Sequence, residues 1–222
     1  MTDTEFIEET IQFVKETLAK AEGGHDWFHI QRVFNNTLLI AKDEKVDILV
    51  ASLGALLHDI ADAKFHDGDE TVGPTMARSF LDALGVDKKT IAHVVNIIEH
   101  ISFKSSLKDH TGPQKKFASK ELEVVQDADR LDAIGAIGIA RAFNYGGFKN
   151  RQLYNPEIAP NPKMTKEEYK KAKGPTINHF YEKLLLLKNK MNTKAGAKLA
   201  EIRHQYMLDY LVQFDKEWHG LS

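Results

Sequence analysis

Apolar residues recur at three- and four-residue spacing along almost the whole chain, and the alternating pattern of a half-buried strand is nearly absent. That periodicity points to an all-α fold. It predicts helices at about 4–21, 27–43, 46–62, 71–84, 88–100, 119–143, 175–190 and 194–217. The breaks between them have local causes. Gly23-Gly24 ends the first helix, and Gly85 stands where a helix closes in the left-handed region, with the start signal "VDKKT" directly after it. Two long stretches resist a helical reading: 102–120, and 145–164 with Pro156, Pro160 and Pro162. Loops of that length inside a compact domain are uncommon and tend to carry function. There is no internal repeat, and the helices beside these loops lack cores of their own. The expectation is one helical domain over 1–222, ending in a helical tail from about 165.

Composition narrows the functional classes. Of 222 residues, 42% are hydrophobic and 28% charged, which suits a globular chain long enough to bury a sizeable core. A net charge of −2 provides no broad basic field for a nucleic-acid polymer or an anionic membrane. The absence of cysteine rules out disulfides, thiolate metal sites and thiol nucleophiles, and fits a reducing compartment. The opening "MTDTEFIEETIQFVKETLAK" is acidic and amphipathic, unlike a secretory signal. No stretch reaches the roughly 18–20 apolar residues that span a bilayer. A cytoplasmic protein is expected. Motifs for a P-loop, a G-x-S-x-G elbow, an H-E-x-x-H zinc helix and a dinucleotide fingerprint are all missing.

The chemistry gathers in three places. "ALLHDIAD" (55–62) sets His58, Asp59 and Asp62 into an otherwise apolar helix, with Asp62 sharing a face with both. Such groups are costly to bury unless hydrogen-bonded, paired or bound to a metal. Ala51, Gly54 and Ala55, one turn earlier, are small enough for another helix to approach closely. "HDWFHIQRV" (25–33) places His25 and His29 one turn apart, near a helix N-terminus opened by Asp26. "QDADRLDAIGAIGIARAF" (126–143) brings Asp127, Asp129 and Asp132 before a run that reads as buried. A helix N-terminus favours such carboxylates, which explains their presence in part but not their pairing with histidines. Imidazoles and carboxylates without sulfur suit a divalent ion: Mn²⁺, Fe²⁺, Ni²⁺, Co²⁺, Zn²⁺ or Mg²⁺.

The order His … His-Asp … Asp resembles the HD-domain metal-dependent phosphohydrolases. The phrases "HDWFHIQRV", "ALLHDIADAKF", "ISFK" and "VVQDADRLDAIGAIGIARAF" resemble a bacterial subgroup of that family over about residues 20–155. The resemblance implies an all-helical fold with the metal among central helices. It puts the metal ligands at His29, His58, Asp59 and Asp129, with His25 at the pocket rim. Asp127 and Asp132 then support the ligands or cap a helix start, and His100 is a candidate for extending the site.

One ion on two imidazoles and two carboxylates keeps positions open for water and a phosphate oxygen, and it lowers the pKa of that water. Asp62 is the candidate to take or relay the proton, with Lys64 beside it. Lys104, Arg130, Lys149 and Arg151 are the candidate phosphate-binding cations. The resemblance favours Mn²⁺ and a nucleotide pyrophosphohydrolase that cleaves nucleoside triphosphates or related small phosphorylated metabolites. A phosphodiesterase or phosphomonoesterase of the same fold remains open, as does a non-catalytic module that keeps the metal for stability. The sequence leaves open whether the chain forms a homodimer.

Overall fold

The computed structural model describes residues 1–19, 26–61, 69–101, 117–165, 168 and 173–221. Its described residues form helices and no strands: the fold is all-α. The helices are α1 (Asp3–Thr17), α2 (Trp27–Ala41), α3 (Ile48–Leu57), α4 (Val72–Leu84) and α5 (Lys88–His100). They are followed by α6 (Lys120–Asp132), α7 (Gly135–Phe148), α8 (Thr176–Glu182), a 3₁₀ helix (Leu184–Lys190) and α9 (Lys194–Trp218). The chain divides into two compact units, Met1–Asp129 and Arg130–Ser222.

Side-chain caps fix where several helices start. In the first unit, Thr2 and Glu5 close a reciprocal capping box on α1, and the Asp26 carboxylate accepts from the His29 amide at 3.0 Å. Asp47 accepts from Val50 N–H, and Asp87 from those of Lys89 and Thr90. Gly85 closes α4 at φ +79°, as its position in the sequence predicts.

Helix α3 lies at the centre of this unit, against α1, α2 and α5. Eight of its ten residues are buried, from Val50 to Leu57. Fully burying each of Leu53, Leu56 and Leu57 contributes on the order of 2 kcal/mol. Gly54 admits α5: a Cβ there would stand 3.1 Å from Ile97 Cγ2. The small-residue face of "ASLGALL" is the surface the sequence reading expected.

The second unit packs α9 against α7 and the 3₁₀ helix. Its core is aromatic: the ring of Phe143 lies near those of Phe180, Tyr210 and Phe214. Tyr154 packs edge-on against Trp218 at 5.0 Å and against Phe214.

Three helix boundaries depart from expectation. The predicted helix 119–143 is two helices, because Ile134 is extended (φ −128°, ψ 169°) and Gly135 turns at φ +73°. Only glycine suits that turn, since a Cβ would also meet Arg203 Cβ and Cγ at 3.0 Å. The predicted helix 46–62 ends at Leu57, and Asp62, at its expected end, lies outside the described residues. The stretch 175–190 changes from α to 3₁₀ at Lys183. In addition, Tyr145–Phe148 of the expected loop 145–164 belongs to α7.

Candidate metal centre

Three elements of the first unit converge on one spot. α2 delivers His29 in its first turn, where the Asp26 cap fixes the helix start. α3 delivers His58 and Asp59 at its C-terminal end. α6 delivers Asp129 in its last turn. Ligand atoms of His29, His58 and Asp59 all lie within 4.8 Å of one another. Asp129 Oδ1 stands 3.6 Å from His29 Nε2 and 4.0 Å from His58 Nε2.

The His58 imidazole is oriented by its own helix. Its Nδ1 lies 2.8 Å from the Ala55 carbonyl oxygen, which can only accept, so Nδ1 carries the proton. In the neutral ring Nε2 then carries the lone pair, 4.0 Å from Asp129 Oδ1. A metal-ligating histidine is commonly held this way by a carbonyl on its other nitrogen. The two imidazoles pack edge-to-face with centroids 5.4 Å apart, and their side chains are only 3% and 5% exposed. The Asp129 side chain is 43% exposed.

The donor set fits a divalent cation. Both nitrogen–oxygen separations, 3.6 and 4.0 Å, exceed the roughly 2.7–3.2 Å of a hydrogen bond. They suit atoms that share an ion. The helix ends add to this: α3 and α6 both bring C-terminal ends, each carrying about half a negative charge. This corrects the sequence argument from the dipole. Asp129 and Asp132 sit in the last turn of α6, where the dipole disfavours carboxylates, so the dipole does not account for them.

The other candidates fall in several places. His25, Asp62, Lys64 and Lys104 lie outside the described residues. Asp127 is fully buried. Asp132 is also buried and pairs with Arg141 in the second unit. Arg130 donates to the Lys190 carbonyl at 2.7 Å. The Lys149 ammonium lies over the rings of Phe148 and Tyr145, and the Arg151 guanidinium over Tyr145. His100 Nδ1 donates to the Asn96 carbonyl, and the residue is not part of the three-residue group.

The sequence reading missed two polar groups that hold α6. Asn36, buried on α2, donates from Nδ2 to the Ala128 carbonyl at 3.2 Å. Gln126 donates to the His100 carbonyl at 3.0 Å. The available signal for Asn36 was its place seven residues after His29, on the same apolar stripe as Ile30, Val33 and Ile40.

Residues 27–134, which carry His29, His58, Asp59 and Asp129, match the family model of the HD domain. Across the whole chain the sequence is 36% identical to the uncharacterized protein YpgQ of Bacillus subtilis, covering 98% of that protein. The chain belongs to the HD-domain family. Among solved structures, this HD-domain protein is similar to an HD-superfamily hydrolase from Bacillus thuringiensis. That likeness has 41% identity and a TM-score of 0.78, and covers 98% of this chain and 99% of the other. It is also similar to Bacillus subtilis YpgQ in complex with ADP, at 34% identity and a TM-score of 0.75, covering 98% and 97% of the two chains. As a class, the HD-domain protein is a metal-dependent hydrolase. Among its described residues no helix is long and apolar enough to cross a membrane.

Proposed function

We propose that this HD-domain protein is a phosphohydrolase for small phosphorylated metabolites, with cleavage of a nucleoside triphosphate to monophosphate and pyrophosphate as the favoured reaction. The observation that carries the reading is the buried pair of imidazoles, His29 and His58, facing Asp59 and Asp129 across a few ångströms. A nucleotide substrate is supported by the ADP complex of YpgQ.

In this reading His29, His58, Asp59 and Asp129 hold a divalent ion, Mn²⁺ in preference to Mg²⁺, Ni²⁺, Co²⁺, Fe²⁺ or Zn²⁺. When bound, such an ion polarises a phosphoryl oxygen and makes water more acidic. The chain's own groups supply the rest. The Ala55 carbonyl keeps the His58 lone pair directed into the site. The partly exposed Asp129 side chain marks the face from which a phosphate can enter. Asp62 takes the proton of the attacking water, with Lys64 beside it in sequence. Lys104, Arg130, Lys149 and Arg151 supply positive charge for the phosphates, which requires the last three to leave their present carbonyl and ring partners. The cytoplasm, a reducing compartment that suits a chain without cysteine, is the proposed location.

The test is turnover of nucleoside mono-, di- and triphosphates by the Mn²⁺-loaded chain, with the products identified. Monophosphate with pyrophosphate supports the proposal. Orthophosphate released from a nucleoside monophosphate makes the chain a phosphomonoesterase, and orthophosphate released from a triphosphate refutes cleavage to pyrophosphate. Metal binding without turnover of any phosphate compound refutes the proposed reaction and leaves a metal-stabilised interaction module.

A further inference from the structure

Helix α6 contributes Asp129 from its last turn, so the rotation and height of that helix decide whether the carboxylate meets the imidazoles. A rotation of α6 by one residue would turn Asp129 through about 100°, and a slip of one residue would displace it by about 1.5 Å. Apolar packing alone tolerates small slides of that kind. A directional contact does not.

Such a contact lies beside the site. Asn36 is buried on α2, and its amide donates at 3.2 Å to the carbonyl of Ala128, the residue immediately before Asp129. Asn36 and His29 are seven residues apart on α2 and therefore lie on one face, about 10 Å apart along the axis. Neighbouring residues of α6 thus meet α2 at two places: Ala128 through its backbone and Asp129 through its side chain. Gln126 ties the same helix to the end of α5 through the His100 carbonyl. A leucine at 36 would fill similar space without holding α6 at any particular height.

We infer that Asn36 is a positioning residue for the metal centre: its amide fixes α6 against α2 so that Asp129 faces His29 and His58. The inference rests on reading His29, His58, Asp59 and Asp129 as the ion's ligands. Groups that orient a ligand typically carry 10- to 100-fold, roughly, in metal affinity.

The experiment titrates metal-free protein with Mn²⁺ and with Co²⁺, reading dissociation constants by equilibrium dialysis and the Co²⁺ ligand-field bands by visible absorption. Asn36→Leu, with Asn36→Ala as a second variant that removes the donor without adding bulk, should bind about 10- to 100-fold more weakly. Both should shift the Co²⁺ bands. Leu81→Ala, at a fully buried site on α4, should lower the melting temperature of the metal-free protein while keeping wild-type affinity and bands. Wild-type affinity and spectrum in both Asn36 variants would overturn the inference. So would an equal loss in Leu81→Ala, which would make the effect one of stability. If His58→Ala binds metal as the wild type does, the ligand reading itself fails, and the inference fails with it.

Discussion

His179, on α8, offers a quantitative test of how burial is felt in the second unit. Burial of its imidazole, aided by the positive charges of Lys183 and Arg151, pulls its pKa from 6.5 down to about 4. The folded protein therefore keeps this histidine neutral in a pH range where the unfolded chain binds a proton. Stability from this source is fully present above pH 6.5 and is lost as pH falls toward 4. Linkage across that window gives a loss of about 2 kcal/mol between pH 7 and pH 5, and about 3 kcal/mol by pH 4. His179→Gln removes the titration while keeping a neutral polar side chain. Trp218, packed on Phe214 and Tyr154, reports on this unit once Trp27→Phe has made it the sole tryptophan of the chain. Urea unfolding followed by its fluorescence, in the Trp27→Phe background with and without His179→Gln, gives the two stabilities at each pH. The stability of the protein that keeps His179, relative to the His179→Gln variant, should fall by about 2 kcal/mol from pH 7 to pH 5. A difference that stays flat over that range, or that grows as the solution is acidified, would refute the burial argument.

Three further outcomes are expected. His29→Ala, His58→Ala, Asp59→Ala and Asp129→Ala should each abolish the rise in melting temperature caused by divalent metal, worth about 2.7 kcal/mol at a hundredfold excess over Kd, while His25→Ala keeps it; calorimetry with and without Mn²⁺ checks this, and a metal-responsive His29→Ala beside an unresponsive His25→Ala would reverse the ligand assignment. Asp62→Asn should keep its metal content and a nearly unchanged KM but lose at least about a hundredfold in kcat, the usual scale for a positioned acid or base; steady-state kinetics with elemental analysis decide between that, a ligand role shown by lost metal, and a solvated side chain shown by full activity. Gly138→Ala should destabilise the second unit by about 2 kcal/mol or more, because the added Cβ would overlap the backbone carbonyl of Ala133, which cannot swing aside as a side chain can; urea unfolding measures it, and a neutral result would show that the turn between α6 and α7 yields.

What the sequence determined by itself was local in origin. The helical class followed from apolar spacing, because a helix with one buried face must repeat near every 3.6 residues. Helix starts at Asp26 and Asp87 and the stop at Gly85 were legible, since caps satisfy backbone groups only a few residues away. The order of His29, His58, Asp59 and Asp129, with the phrases around them, was enough to point to the HD family before any coordinates. Tertiary structure decided the rest. That 119–143 is two helices depends on Gly135 leaving room for Arg203, a residue far along the chain on α9. Arg141 pairs with Asp132, and Arg130 is bound to a carbonyl at position 190, partners that no periodicity announces. Residues 129 and 132 looked like the opening of a helix and proved to lie at the closing turn of one, which reverses the sign of the dipole acting on them. The sequence also could not show that Asn36 reaches α6, because a buried amide and a solvated one read alike until packing brings an acceptor to it. Short-range rules record what a residue does to its own turn of helix. Which groups from distant helices face one another across a few ångströms is fixed only when those helices pack.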